Sequence, residues 1–218
     1  MARIGTCVLV SGRGSNLKAL FQAARDPAFP AEISLVISDT YDAPAIDIAA
    51  AAGAEVALVP RSDQPDRQTF ETMLQTHILE GGCQLVLLAG FMRILSTNFV
   101  AAWSGRLLNI HPSLLPAFPG LDTHRRALAA GVRLSGCSVH FVTDELDGGP
   151  LIGQAAVPVH PDDTPESLAA RVLAAEHRLY PRCLELVASG AVRLEGERVV
   201  WDTEPAAGSL MNPPAAPA

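Results

Sequence analysis

The amide of Asn109 and the imidazole of His111 can polarise a carbonyl and move a proton, and they stand two residues apart in LLNIHPSLLPAF, residues 107–118. On a strand, that spacing turns both side chains to one face. Pro112 cannot donate to a sheet ladder, and Pro116 and Pro119 oppose helix, so the chain leaves the sheet at the carboxyl end of this strand. In an open α/β sheet that edge is where ligands bind. An amide donor there stabilises a developing oxyanion, and an imidazole exchanges protons near neutral pH. The plainer alternative is a turn-forming Asn followed by a His bonded to nearby backbone.

A second cluster is Ser11-Gly12-Arg13-Gly14-Ser15-Asn16, between the apolar run ending at Val10 and the helix-like LKALF that starts at Leu17. Strand, glycine loop and helix start present free backbone N–H groups and the positive end of a helix dipole to an anion. The third glycine of a dinucleotide fingerprint is missing, and so is the Gly-Lys-Ser/Thr of a Walker loop, so one phosphate fits better than two. The competing explanation is a strand-to-helix turn with good capping residues.

The third cluster is TDELDGGP, residues 143–150, between two strand-like runs. Asp144 and Glu145 read as a solvated hairpin connection. Asp147 differs: Gly148-Gly149 lets the backbone turn inward, which would aim its carboxylate at His111, where an anion stabilises the imidazolium. A metal is the obvious rival for an Asn, His and Asp set. The six histidines, at 77, 111, 124, 140, 160 and 177, form no HxH or HxxxH, and the cysteines form no CxxC, so no metal is expected.

These clusters must be positioned by elements that the chain spells out. Strands are predicted over 3–10, 32–38, 54–59, 84–89 and 106–110, and helices over 16–25, 44–52, 66–80 and 97–103. This alternation predicts an α/β, Rossmann-like fold: a mostly parallel twisted sheet with helices on both faces. After Pro112 the pattern changes. A short helix at 123–130 precedes two strands, 135–142 and 151–159, joined by a glycine-rich link as antiparallel additions in the C-terminal half. A long helix opens at Thr164-Pro165 and runs to about Ser189, and a hairpin over 191–201 follows. Residues 1–202 read as a single domain of two halves, 1–111 and 112–202. The Pro- and Ala-rich 203–218 read as a disordered tail.

Composition bounds the partners. The 218 residues are 49% hydrophobic, ample for a core, and a net charge of −7 argues against broad nucleic-acid or membrane contact. The four cysteines, Cys7, Cys83, Cys137 and Cys183, fall one per apolar segment, as reduced buried thiols of a cytoplasmic protein would. No charged-then-apolar leader opens the chain, and no run reaches about eighteen apolar residues, so neither a signal peptide nor a membrane span is expected.

Taken together, SGRGSN (11–16), LAGFMRILS (88–96), LLNIHPSLLPAFPG (107–120) and SVHFVTDELDGGPLI (138–152) resemble the phosphoribosylglycinamide formyltransferases, folate-dependent enzymes of purine synthesis. The resemblance runs from about Cys7 to Trp201, and it implies that 1–111 is the phosphate- and ribonucleotide-binding half and 112–202 the folate-binding and catalytic-loop half. It implies that Asn109, His111 and Asp147 are the catalytic set, and that Gly14, Ser15, Asn16 and Glu176 bind the ribonucleotide. It also implies a folate pocket of Met92, Arg93, Ile94, Leu95, Asn109, Thr143, Asp144, Glu145, Leu146 and Asp147, with Arg67 near the glutamyl tail. Without it, Met92, Ile94 and Leu95 read as core, Glu176 as a solvated helix face, Arg67 as an exposed charge, and His140 as a structural imidazole. The implied co-substrate is 10-formyltetrahydrofolate and the acceptor 5′-phosphoribosylglycinamide, handled by a monomer or homodimer. Ala117, where such enzymes often carry a longer polar residue, is one departure, and Asp122 before Thr123-His124 is another.

Three alternatives use the same residues. A methionyl-tRNA formyltransferase needs an added domain and a basic surface. A 10-formyltetrahydrofolate hydrolase delivers the formyl group to water and has less reason for SGRGSN. A catalytically silent folate- or nucleotide-binding module need not keep Asn109, His111 and Asp147.

Overall fold

The computed structural model describes residues 3–202 and 211–212. They form two compact units, Met1–Asn109 and Ile110–Ala218.

The first unit contains β1 (Ile4–Val10), α1 (Ser15–Ala24), β2 (Ala31–Ser38), α2 (Ala45–Ala52) and β3 (Glu55–Leu58). A turn of 3-10 helix at Arg61–Asp63, α3 (Arg67–Glu80), β4 (Leu85–Leu88), α4 (Thr97–Ala102) and the start of β5 (Leu107–His111) follow. The strands pair in parallel in the order β5-β4-β1-β2-β3. The chain therefore steps outward from β1 to β3 and then reverses past β1 to β4. Right-handed crossovers put α1 and α2 on one face and, after the reversal, α3 and α4 on the other. Burial on both sides explains why Leu85-Val86-Leu87-Leu88 carries no polar residue; all four side chains are buried. The reversal leaves a topological switch point between β1 and β4, and the loops leaving their carboxyl ends are SGRGSN and GFMRILS.

The second unit contains the end of β5, α5 (Thr123–Ala129), β6 (Leu134–Phe141), β7 (Leu151–Pro158), α6 (Pro165–Ala188), β8 (Val192–Glu195), β9 (Arg198–Trp201) and β10 (Met211–Asn212). β6 and β7 pair antiparallel, as do β8 and β9. Helix α6 starts at a reciprocal cap: Ser167 N–H donates to Thr164 Oγ1 at 3.2 Å, and Thr164 N–H to Ser167 Oγ at 2.9 Å. Its stripe buries Leu168, Val172, Leu179, Cys183 and Leu184, with Val187 at the half-buried margin. Most of the region expected to form a tail, 203–210 and 213–218, lies outside the described residues; within it, β10 pairs antiparallel with β7.

The expected α/β class, parallel in the first part with antiparallel strands in the second, is the observed one. All four cysteines are free and buried, and burial pushes the thiols of Cys7, Cys137 and Cys183 well up from their ordinary range. Among the described residues, no helix is long and apolar enough to cross a membrane.

Candidate active site

The SGRGSN loop follows from β1 ending at Val10 and from one glycine. Gly14 is the N-cap of α1 with φ of 74°, and a Cβ there would lie 2.8 Å from Ala45 Cα in the first turn of α2. Both the backbone angle and the close approach demand glycine. No side chain caps α1 at Gly14, and no acidic residue occupies its first turn, so no carboxylate of the helix itself stands at the positive end of its dipole.

The second loop of the switch point turns at Gly90, φ 70°. Met92 and Ile94, which read as core only when the family resemblance is set aside, are 66% and 70% exposed, and Leu95 is half-buried. Apolar side chains held out at the ligand edge of a sheet are what an apolar ligand needs. Arg93, beside them, donates Nε to the buried Asp39 carboxylate at 2.5 Å. Arg67, at the first turn of α3, is exposed and lines a groove of about 540 Å³ together with Ser96, the residue that follows Leu95 in this loop.

In the second unit the end of β5 meets the loop after β6. His111 is 6% exposed, and its Nδ1 lies 3.3 Å from Asp147 Oδ2. Its Nε2 lies 3.0 Å from the carbonyl oxygen of Phe118. A carbonyl only accepts, so Nε2 carries hydrogen; a carboxylate only accepts, so the contact at Nδ1 is favourable when that nitrogen carries hydrogen too. The imidazolium satisfies both partners at once. Asp147 is held in turn by Gly120 N–H, which donates to Oδ2 at 2.8 Å. The segment Phe118–Gly120 thus engages both members of the pair. Asn109 lies two residues earlier on β5, half-buried, in the register that gives it the same face of the strand as His111.

Asp147 reaches His111 by a route other than the one expected. The reversal is made by Asp147 itself, φ 54°, and neither Gly148 nor Gly149 has a positive φ. Gly149 is needed for space, since a Cβ there would sit 1.8 Å from Phe141 O. Phe118 and Asp122 also have positive φ, at 55° and 57°. Backbone in this sparsely populated region concentrates around the His111–Asp147 pair, as it does at functional sites.

His140, read from the sequence as a structural imidazole, is 2% exposed and brings Nε2 to 3.9 Å from Asp147 Oδ1, with Nδ1 3.0 Å from Phe141 O. A register shift between Val139 and His140 aims it there. Burial holds His140 below the ordinary imidazole range, against opposing pulls from Phe141 O and Asp147. His124, lowered by burial and then by His111, and His177, lowered by burial alone, share that direction. Thr143 is half-buried, while Asp144, Glu145 and Leu146 are exposed, as a solvated connection would be. Glu176 on α6 is not on a solvated face: it is 7% exposed. Sequence reasoning missed the contacts from Ser11, Asp39, Phe118, Gly120 and His140; only the Pro119-Gly120 turn signal hinted at one of them.

The three lowered imidazoles give a stability prediction. Unfolded, each ring takes a proton near pH 6.5, while the native ring resists protonation until lower pH. The unfolded state therefore binds more protons below about pH 6.5, so stability is full above that value and declines as pH falls through it. Melting curves from about pH 7.5 to 5.5 should show a falling Tm, with a shallower slope for His177→Asn; a flat or rising Tm on acidification would contradict the assignment.

Comparison with known proteins bears on this constellation. The formyl transferase family model matches residues 5–184. The trifunctional purine biosynthetic protein adenosine-3 of Bos taurus is 48% identical over 90% of the chain, which spans 20% of that protein's length. Phosphoribosylglycinamide formyltransferase of Escherichia coli is 44% identical over 89% of the chain and 91% of its own. The crystal structure of glycinamide ribonucleotide transformylase 1 from Symbiobacterium toebii superposes with a TM-score of 0.88 at 45% identity, over 91% of this chain and 94% of that one. With the family model covering both the SGRGSN loop and the His111–Asp147 pair, and with such likeness over nearly the whole described length, this chain belongs to the formyl transferase family.

Proposed function

We propose that this chain transfers the formyl group of 10-formyltetrahydrofolate to the amine of 5′-phosphoribosylglycinamide, giving formylglycinamide ribonucleotide and tetrahydrofolate. The observation that carries the reading is the buried His111–Asp147 pair, in which both ring nitrogens face acceptors. The likeness to proteins named for this reaction supports it. The ribonucleotide phosphate is held by N–H and side-chain groups of Gly14, Ser15 and Asn16, and Glu176 contacts the same substrate. Met92, Arg93, Ile94, Leu95 and 143–147 receive the folate, and Arg67 its glutamyl tail.

The amine nitrogen attacks the formyl carbon, forming the new C–N bond and pushing the carbonyl electrons onto oxygen. Asn109 and the His111 imidazolium donate to that oxyanion. The Nε2 hydrogen directed at Phe118 O is the one that must exchange partner to do so. Asp147 faces Nδ1 of the ring and, directly or through water, takes the proton that the attacking amine loses. Collapse breaks the bond from the formyl carbon to the folate nitrogen, which leaves with a proton returned from His111 or water. No covalent enzyme intermediate is needed, because an amine is already a competent nucleophile, and holding both reactants supplies much of the acceleration. No step calls for a metal; among the described residues no group of three or more His, Cys, Asp or Glu is placed to hold one. The protein acts as a monomer or homodimer in the cytoplasm, where buried thiols stay reduced, on small molecules and not on nucleic acid or membrane.

The test is an assay with both acceptors. Formyl transfer to phosphoribosylglycinamide should far exceed release of formate to water; the reverse would identify a hydrolase. Ser15→Ala combined with Asn16→Ala should weaken the ribonucleotide by about 10-fold or more, the loss expected for several hydrogen bonds to a charged group, with tetrahydrofolate affinity little changed. Equal losses for both ligands, or none, would remove the phosphate role from this loop.

A further inference from the structure

Gly90–Ser96 carries exposed apolar side chains, yet it has no regular secondary structure. Among the described residues no backbone-to-backbone hydrogen bond reaches Met92, Arg93, Ile94 or Leu95. A segment in that condition would ordinarily be mobile, because nothing offsets the entropy of fixing its backbone. Its shape here rests on three side chains from three other places. Ser11, after β1, accepts Met92 N–H on Oγ at 2.9 Å. The buried carboxylate of Asp39, after β2, takes Arg93 Nε. Glu71, on α3, accepts Ser96 N–H at 2.6 Å and also the Ser96 hydroxyl.

The three are not equivalent. Asp39 acts on the far end of a long side chain that is 46% exposed, and Glu71 acts where the segment is already entering α4. Ser11 alone grips the backbone within the apolar stretch, at Met92. Ser11 is also the first residue of SGRGSN, the loop whose other members serve the anion. Its hydroxyl oxygen accepts from Met92 N–H, and α1 begins at Ser15, with Gly14 as N-cap, without a cap from any side chain.

Building on the formyl-transfer reading above, we propose that Ser11 is a positioning residue for the formyl donor, although it lies in the loop that serves the other substrate. Removing its hydroxyl takes from the Met92 N–H its acceptor and lets the segment sample more conformations, so that part of the folate's binding energy goes into ordering it again. The α1 N-terminus is untouched, so the ribonucleotide is held as before. One hexapeptide thus divides its labour: Ser11 acts on the folate, and Gly14 to Asn16 act on the phosphate.

Calorimetric titration of the full chain with tetrahydrofolate and, separately, with phosphoribosylglycinamide tests the division. Ser11→Ala should weaken tetrahydrofolate about 3- to 10-fold, the size of one net hydrogen bond, and leave ribonucleotide affinity and Tm near the parent values. The KM for the formyl donor should rise in step, with kcat falling less. Ser11→Thr, which keeps an Oγ, should restore tetrahydrofolate affinity, and amide exchange at Met92 should quicken in Ser11→Ala only. Unchanged tetrahydrofolate affinity in Ser11→Ala, or equal weakening of both ligands, overturns the proposal. A parent chain that binds no tetrahydrofolate overturns the formyl-donor reading and this proposal with it, whereas a binding parent with an indifferent Ser11→Ala overturns only the latter.

Discussion

Asp147→Asn should lower kcat by about 10² to 10⁴, the range for a positioned acid or base, while the affinity for each substrate changes much less. The substitution keeps shape, and its carbonyl can still accept Gly120 N–H as Asp147 Oδ2 does. What it removes is charge at 3.3 Å from His111 Nδ1. With a carboxylate there, the doubly protonated ring satisfies Asp147 and the Phe118 carbonyl together. With an amide there whose carbonyl stays at the Oδ2 position to accept Gly120 N–H, a neutral oxygen and no longer an anion faces Nδ1, and the cationic donor for the oxyanion loses the charge that favours it. His140 feels the same change, since its Nε2 is 3.9 Å from Oδ1 and it is itself buried. Steady-state kinetics together with ¹⁵N NMR of the histidine rings would read both consequences. A kcat within a few-fold of the parent would take Asp147 out of the catalytic set; a ring still doubly protonated at neutral pH would remove the electrostatic link and leave Asp147 only as an acceptor for the amine proton.

Asn109→Ala should cost about 10² to 10³ in kcat, the loss seen when one oxyanion donor is removed. The reason lies in where charge appears. The formyl oxygen is neutral in the bound substrate and anionic in the tetrahedral intermediate, so a fixed amide donor favours the second state over the first and acts on kcat more than on KM. Asn109 is half-buried at the end of a strand whose neighbours Leu108 and Ile110 are buried, so its backbone is held in place whatever its side chain. The variant should therefore melt close to the parent. A loss confined to KM would make Asn109 a ground-state contact, and an equal loss from Asn109→Ala and Leu146→Ala would point to disturbed folate binding in place of oxyanion stabilisation.

The sequence by itself determined the layered plan and the inventory of chemistry. Short runs such as Leu85–Leu88 alternate with amphipathic stretches, and that period is enough to specify strand, helix and parallel sheet, because it records which faces lose water. The order strand, SGRGSN, helix likewise contained the turn into α1, since glycine at 14 and a helix start at Ser15 are local facts. The three residues proposed for catalysis were named from motif order, through Asn109 and His111 on one strand and Asp147 beside two glycines. Tertiary structure alone decided which polar group answers which. That His111 meets Asp147 and Phe118 O, that a register shift brings His140 against the same carboxylate, and that Asp147 carries the positive φ itself are outcomes of packing between segments distant in the chain. Hydropathy could not tell Met92 and Ile94 from core, nor Glu176 from a surface charge, because it scores what a side chain prefers and not whether the fold grants it. The bond from Ser11 to Met92 was equally invisible, for a serine in a glycine loop announces a turn, while its partner is set only when two strands come to lie side by side at the switch point.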